Sequence, residues 1–125
     1  MKELSPNLFV SNVKASIAFY EKFGFQVEQT VPDAENPIWA SMSSGNVEIM
    51  LQDKGSGMEE FAPLAGKRLG ATLTLFMESE NLEGNYKAAK DNNFTIVNDM
   101  HQTFYGTSEF AVQDPDGYIC VIAGK

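Results

Sequence analysis

Glu48 is the residue of this chain whose type and setting most directly suggest chemistry. The segment around it alternates, so that Glu48 shares one strand face with Met50 and Gln52. On a concave face its carboxylate would attract a cationic ligand group, and a buried carboxylate there could act as a general base. A solvated position at the edge of a sheet is the alternative. The pattern leaves a binding, a catalytic and a plain surface role open.

Small polar residues and phenylalanines alternate with apolar residues in two other segments. The residues on the polar side of this alternation are Ser5, Asn7 and Phe9, and then Thr72, Thr74 and Phe76. If the apolar residues between them pack against helices, these six line a concave face, where water or a ligand supplies partners for the polar groups. The alternative is that they fill a closed core.

Four further residues are candidates because of their type. Trp39, the only tryptophan, could stack on a planar ligand, contact a second subunit or pack in the core. His101, the only histidine, is expected in a loop, with a solvated position as the alternative to a binding role, and Tyr105 could present its hydroxyl at the mouth of a cavity. Cys120 is expected to be a small buried residue, and a single cysteine rules out an intramolecular disulfide.

The elements that must position these residues come from an internal repeat. Asn12 and Asn81 each follow an apolar strand and begin a helix, and Gly24 and Asn93 each stand where a helix ends and a strand restarts. The predicted order in each copy is β-α-β-β-β, in an α+β domain made of module one at 1–52, a crossover at 53–68 with one helical turn at 58–61, and module two at 69–125. The predicted strands are 4–10, 25–27, 38–42, 46–52, 72–77, 94–98, 107–113 and 118–123.

Composition excludes several classes of function. The 125 residues suit one domain, and the formal net charge of −8, without a run of basic residues, argues against nucleic acid as a partner. No apolar stretch approaches the roughly 20 residues that span a bilayer, and the first residues lack the apolar core of a signal peptide. The single cysteine suits a reducing compartment. The expected location is therefore the cytoplasm.

At this point two groups of motifs carry a resemblance to a known family. The first group is Val10-x-Asn12-x-x-x-Ser16-x-x-Phe19-Tyr20-x-x-x-Gly24-Phe25, and the second comprises Tyr105-Gly106, Glu109-Phe110 and Asp114-Pro115-Asp116-Gly117-Tyr118. Together they resemble the vicinal oxygen chelate superfamily, which includes glyoxalase I, extradiol dioxygenases, fosfomycin-inactivating enzymes and bleomycin-resistance proteins. The resemblance implies two βαβββ modules that form curved mixed sheets around a cavity, paired as a homodimer.

The resemblance also implies a test for a metal site. Catalytic members generally hold a divalent ion with two histidines and one or two glutamates. The matching positions here are Ser5, Thr72 with Ala71 as a one-residue slip, Met50 and Val121. None of these side chains replaces imidazole or carboxylate, and one histidine cannot supply two ligands. We therefore expect no metal and no cofactor, with unusual ligation by Glu48, His101 and Glu109 left as an alternative.

Three functional hypotheses compete. The first is a metal-free binding protein of the bleomycin-resistance type, which sequesters a cationic or aromatic drug or metabolite. The expected ligand-binding residues are Ser5, Asn7, Phe9, Trp39, Glu48, Met50, Thr72, Thr74, Phe76, His101, Tyr105 and Val121. The second is a diverged lyase, isomerase or dioxygenase that uses Glu48 as a base or an unusual metal site. The third is a regulatory or scaffold dimer without a small ligand. The missing metal ligands favour the first hypothesis.

Overall fold

The computed structural model describes residues 1–125 and divides into two compact units, Met1–Leu69 and Gly70–Lys125. Each unit has one four-stranded sheet. The elements of the first unit are β1 Asn7–Val10, α1 Val13–Glu21, β2 Gln26–Val31, β3 Trp39–Ser44, β4 Val47–Asp53, α2 Lys54–Glu60 and a 3₁₀ turn Ala62–Leu64. Those of the second are β5 Thr74–Glu78, α3 Leu82–Asp91, β6 Thr95–Gln102, β7 Ser108–Gln113 and β8 Ile119–Gly124.

The two sheets have the same topology. The strand order is β1-β4-β3-β2 in the first and β5-β8-β7-β6 in the second. In each sheet the first strand of the unit pairs in parallel with the last, and the other pairings are antiparallel. The predicted α+β class and the repeated β-α-β-β-β order are therefore confirmed. None of the three α-helices is long and apolar enough to cross a membrane.

The repeated asparagines and their partners at the helix ends act as the sequence predicts. The side-chain oxygens of Asn12 and Asn81 accept hydrogen bonds from backbone N–H groups three residues further on, at 3.0 and 3.2 Å. Each bond satisfies a donor that the first helical turn leaves without a partner. After the helices, Gly24 and Asn93 take positive φ angles of 91° and 56°, the conformation that lets the chain turn into the next strand.

One face of the first sheet forms the core of its unit. Val10, Met42 and Leu51 are fully buried, as is Tyr20 of α1. Burial of an aliphatic side chain of this size contributes about 1.5–3 kcal/mol. Because successive residues of a strand point to opposite faces, this packing leaves the other face of each strand to its polar residues.

Two predicted elements of the second unit were wrong in ways that move candidate residues. The predicted strand 72–77 begins only at Thr74, because Thr72 has a φ of 61° and lies in a turn. Gly70 explains the turn: a Cβ there would lie 2.5 Å from the backbone of Gly117, so the chain makes a close approach before the strand can start. Leu73, expected to face the helix, is 43% exposed.

His101 was expected in a loop but lies in β6, which runs to Gln102 instead of ending at Asn98. The pairing of β6 with β7 shifts register between Ile96 and Asn98 and again between Asn98 and His101. Such irregularities break the two-residue alternation by which a strand is recognised in a sequence. The predicted strand 25–27 was too short for the same reason, because the pairing of β2 with β3 also shifts register.

Two smaller differences concern the first unit. Leu4 and Ser5 precede β1, and the Leu4 side chain is 90% exposed, so the predicted strand 4–10 is shorter than expected. The crossover holds a seven-residue helix and a 3₁₀ turn instead of a single helical turn. The Asp53 carboxylate begins that helix by accepting from the N–H groups of Gly55 and Ser56.

Candidate functional site

The face of the first sheet that points away from α1, here called the polar face, carries most of the sequence-predicted residues of the first unit. Asn7 and Ser41 flank Met50 in one row of cross-strand neighbours. Phe9 and Trp39 flank Gln52 in the next row. Neighbouring strands lie about 4.8 Å apart, so the side chains within each row are in reach of one another.

A chain of hydrogen bonds crosses the polar face. The Asn7 Nδ2 donates to Gln52 Oε1 at 2.8 Å, and the Gln52 Nε2 donates to Glu60 Oε1 at 3.0 Å and to Ser56 Oγ at 3.3 Å. Gln52 is only 7% exposed, and its amide uses its acceptor and its donors within this chain. The two amides therefore link β1 and β4 to α2.

The hydrogen-bond chain from Asn7 through Gln52 to Glu60 is here called the relay. The orientation of its two amide groups follows from the carboxylate at its end. An ionised carboxylate can only accept, so the Gln52 Nε2 must face Glu60 and the Gln52 Oε1 must face Asn7. The Asn7 Nδ2 then faces Gln52, which leaves Asn7 Oδ1 directed elsewhere. That oxygen is buried and has no hydrogen-bond partner. A buried acceptor without a partner costs about 1–3 kcal/mol, so a donor from outside the chain would stabilise this atom.

Two carboxylates lie at the other end of the polar face. The Ser5 Oγ donates to Glu48 Oε1 at 3.1 Å, and the Ser43 Oγ donates to Glu28. Ser43 and Glu48 are direct cross-strand neighbours. Glu48 is exposed, whereas the base hypothesis required a buried carboxylate. Its position suits attraction of a cationic group rather than proton abstraction in a dry site.

Helix α2 covers the end of the polar face at Phe9. A Cβ on Gly57 would lie 2.6 Å from two ring carbons of Phe9, so only glycine allows this close approach. The Phe61 ring stacks on Phe9 with a centroid distance of 6.1 Å and an interplanar angle of 23°. Phe9 is 8% exposed as a result, so it acts as packing under α2.

The face of the second sheet opposite α3, here called the open face, carries the remaining candidates. Phe76, Val121, Ala111 and Asn98 form one row across it, from β5 to β6. Glu109 and His101 are direct cross-strand neighbours in the adjacent row. Phe76 is 55% exposed, and Thr74 at the start of its strand is also exposed.

Tyr105 lies in the turn between β6 and β7 and bonds to the open face. Its hydroxyl donates to Glu109 Oε1 at 2.8 Å. The Glu109 carboxylate raises the pKa of Tyr105 because it stabilises the protonated phenol through this bond. The phenol therefore stays a donor at physiological pH. His101 is exposed, and its Nδ1 lies 2.9 Å from the Asp99 carbonyl oxygen.

A separate cluster lies on the α3 side of the second sheet. The Tyr86 hydroxyl donates to Asp99 Oδ1, and the Lys90 ammonium stands 4.7 Å from the centre of the Tyr86 ring. The bond from Tyr86, supported by the Met100 N–H, lowers the pKa of Asp99. Tyr86 also contacts Phe110 of the core, so this cluster fastens α3 to its sheet.

The four positions that correspond to metal ligands do not fit a divalent ion. In the first unit, the Ser5 hydroxyl is bonded to Glu48, and Met50 offers a thioether between Asn7 and Ser41. In the second unit, Thr72 lies in a turn and Val121 offers an aliphatic side chain. Hydroxyl, thioether and aliphatic groups do not make the nitrogen and carboxylate set that such ions need. No group of three or more His, Cys, Asp and Glu side chains is arranged to hold a metal ion.

Comparison with protein families decides what kind of domain this is. The model of the Glyoxalase/Bleomycin resistance protein/Dioxygenase superfamily matches residues 4–122. The chain belongs to this superfamily. The resemblance inferred from the repeat and the motifs is thus confirmed. A comparison with curated proteins gives no match.

Several solved structures share the fold of this chain over nearly their whole length. A protein of unknown function from Agrobacterium tumefaciens C58 is 15% identical, with a TM-score of 0.81 and coverage of 100% of this chain and 94% of that one. TioX from Micromonospora sp. ML1 is 13% identical, with a TM-score of 0.77 and coverage of 99% and 96%. A bleomycin-binding protein in complex with bleomycin is 20% identical, with a TM-score of 0.66 and coverage of 100% and 99%.

The residues that complete the polar face were not singled out from the sequence. Gln52 was placed beside Glu48 and Met50 but given no role, and Glu60 lay in a segment expected to be mostly loop. One signal could have indicated the relay. Gln52 alternates onto the polar face of its strand, and the helix that follows the strand carries glutamates. Glu109 was named from the sequence only within a motif and as an alternative metal ligand, whereas the structure places it opposite the only histidine and in a hydrogen bond with Tyr105.

Proposed function

We propose that this protein is a metal-independent small-molecule binding protein that sequesters a cationic ligand on the polar face of its first sheet. The observation that carries the proposal is the buried, unpartnered Asn7 Oδ1, whose orientation is set by the relay through Gln52 to Glu60. A ligand N–H or O–H group would satisfy this oxygen. Sequestration needs affinity only, so a site without catalytic groups suffices.

The charge of the polar face supports a cationic ligand. Glu28, Glu48 and Glu60 each place a carboxylate on or beside it, and each is bonded to a neutral donor rather than to a Lys or Arg side chain. The net charge of −8 adds long-range attraction for cations. The bleomycin-binding protein among the structural neighbours makes bleomycin the natural first probe.

The test is calorimetric titration of bleomycin into the wild-type protein and two matched variants. Asn7→Ala removes the unpartnered acceptor, and Asn46→Ala removes the same side chain from an exposed position in the β3–β4 turn. Loss of one buried hydrogen bond should weaken binding about tenfold in Asn7→Ala. Asn46→Ala should bind as the wild type does. Equal affinities of the two variants, or no binding of bleomycin and other cationic aromatic antibiotics, would remove the proposal.

Metal analysis separates this proposal from the diverged-enzyme hypothesis. Dialysis against a chelator should leave the bleomycin affinity unchanged, and elemental analysis should find no stoichiometric transition metal in the purified protein. A stoichiometric metal, with affinity lost after dialysis, would contradict metal-independent binding. Loss of a measured turnover in Glu48→Gln would instead support the base hypothesis.

The predicted homodimer stays a prediction. We propose that the binding-competent species is a pair of identical chains, as the resemblance to the superfamily implies. Sedimentation velocity over a range of concentrations, with and without bleomycin, tests it. A species with the mass of one chain that binds bleomycin with full affinity would contradict it.

A further inference from the structure

The internal repeat places two phenylalanines at equivalent positions with opposite surroundings. Phe9 is the third residue of β1 and Phe76 the third residue of β5, and each points away from the helix of its own unit. Phe9 is 8% exposed, with Phe61 stacked on its ring and Gly57 against its edge. Phe76 is 55% exposed. The stacking of Phe61 on Phe9 indicates how a planar aromatic group could stack on the exposed ring of Phe76.

The neighbours of Phe76 complete a site on the open face. Val121 lies beside Phe76 on β8, and Ala111 lies beside Val121 on β7. An apolar surface therefore extends from the Phe76 ring to the small side chain of Ala111. In the adjacent row, Glu109 carries a carboxylate on the same face and accepts from the Tyr105 hydroxyl. Two strand spacings and one pleat repeat put the Cα atoms of Phe76 and Glu109 about 12 Å apart.

We propose that Phe76 and Glu109 bind the planar cationic group of a ligand, with the aromatic plane stacked on the Phe76 ring and the positive charge directed at the Glu109 carboxylate. This inference goes beyond the proposed function, because it assigns a second ligand site to the second sheet and names the class of ligand that this site would bind. An uncharged planar ligand gains only the stacking, and a cation without an aromatic plane gains only the charge pairing.

The charge around the site favours this occupant over an uncharged one. Glu109 faces His101 across the strands, and no Lys or Arg side chain stands on β5, β7 or β8. A cation on the open face therefore meets a carboxylate without a competing internal ammonium or guanidinium on those strands. Tyr105 holds the carboxylate through its hydroxyl, which limits the rotamer entropy lost on binding.

The experiment uses proflavine, a planar aromatic cation, in fluorescence titrations with the full chain. Phe76→Leu keeps apolar bulk and removes the ring, and Glu109→Gln removes the charge at nearly constant shape. Each should weaken proflavine binding about tenfold, the size of a partly desolvated cation–π or charge contribution. Phe104→Leu is the matched control, because Phe104 is a fully exposed ring in the turn beside Tyr105. It should leave the affinity unchanged.

A second probe separates the two contributions. Acridine at mildly alkaline pH offers the same plane without the charge, so it should bind more weakly than proflavine, lose affinity in Phe76→Leu and be indifferent to Glu109→Gln. Equal effects of Phe76→Leu and Phe104→Leu, or equal binding of the two probes, would overturn the inference. So would a change from dimer to monomer in Phe76→Leu with unaltered proflavine affinity, which would assign the ring to a contact between copies.

The outcomes remain distinguishable from those of the proposed function. Asn7→Ala tests the polar face of the first sheet with bleomycin, whereas Phe76→Leu tests the open face of the second with proflavine. Bleomycin binding that depends on Asn7, together with an absence of proflavine binding, would retain the function and reject the planar cation. Circular dichroism and urea midpoints of all variants ensure that each titration compares folded proteins.

Discussion

The amide relay on the polar face makes a sharp prediction about charge at position 52. Gln52→Glu keeps the shape of the side chain but replaces the Nε2 donor with a carboxylate oxygen. In the wild type this Nε2 lies 3.0 Å from Glu60 Oε1, so the substitution brings two carboxylates together. The variant should be less stable than the wild type at neutral pH. The second substitution Glu60→Gln should restore stability, because the introduced amide can then donate to the carboxylate at position 52.

The magnitude follows from the geometry. Two unit charges 3.0 Å apart repel by about 1.4 kcal/mol at the dielectric constant of water and by about 5.5 kcal/mol at an effective value of 20. Glu60 is exposed and can swing away, so the lower end applies. With about 1 kcal/mol for the lost hydrogen bond, the free energy of unfolding should fall by about 2 kcal/mol. The double variant should lie within about 0.5 kcal/mol of the wild type.

Urea unfolding followed by the fluorescence of Trp39 provides the measurement, because this single tryptophan lies beside Gln52 in the sheet. Glu59→Gln is the matched control: it removes the same charge from the adjacent exposed position of α2. In combination with Gln52→Glu it should not rescue. A Gln52→Glu variant as stable as the wild type, or equal rescue by the two α2 substitutions, would refute the relay and the orientation of Asn7 derived from it.

The same variant has a defined pH dependence, and two further predictions concern the helix ends and α3. Repulsion raises the pKa of the introduced carboxyl at position 52, so its destabilisation should be complete above that pKa and should fade as pH falls and the group is protonated. Asn12→Ala should lower the free energy of unfolding by about 1 kcal/mol through loss of the helix cap, and Asn12→Asp should restore most of it, as chemical denaturation can measure. The lowered pKa of Asp99 contributes stability that is present above the unfolded-state pKa and lost as pH falls through the folded one; carboxyl NMR titration should show that pKa returning toward its usual value in Tyr86→Phe.

Much of the fold could be predicted because its determinants are local. Asn12 and Asn81 cap helices with side chains that are adjacent to the N–H groups they serve. Gly24 and Asn93 mark the helix ends through their own φ angles. These signals need no knowledge of distant residues, and their recurrence at equal spacing revealed the repeat. The start of β5 could not be predicted, since it depends on the approach of Gly70 to Gly117, far away in the sequence.

The candidate site was less predictable because hydrogen-bond partners are chosen in three dimensions. Alternation places Asn7 and Gln52 on polar faces, but nothing in the sequence indicates that they are neighbours across parallel strands. The link to Glu60 depends further on a helix with two glycines, a composition that favours loop. Phe9 was predicted to line a cavity, yet it is covered because Gly57 has no side chain to keep α2 away.

The relay also has a consequence for selectivity. Rotating the Asn7 amide to present a donor instead of Oδ1 would set its oxygen against Gln52 Oε1, and correcting that would set the Gln52 oxygen against the Glu60 carboxylate. Each such contact forfeits a hydrogen bond and leaves a polar atom unpaired, at a cost of about 1–3 kcal/mol. The polar face can therefore not adapt to a ligand that offers an acceptor at this point. A ligand with an N–H or O–H group at Asn7 should be preferred over an isostere that lacks it by about tenfold or more, since the ligand without the donor leaves the buried oxygen without a partner.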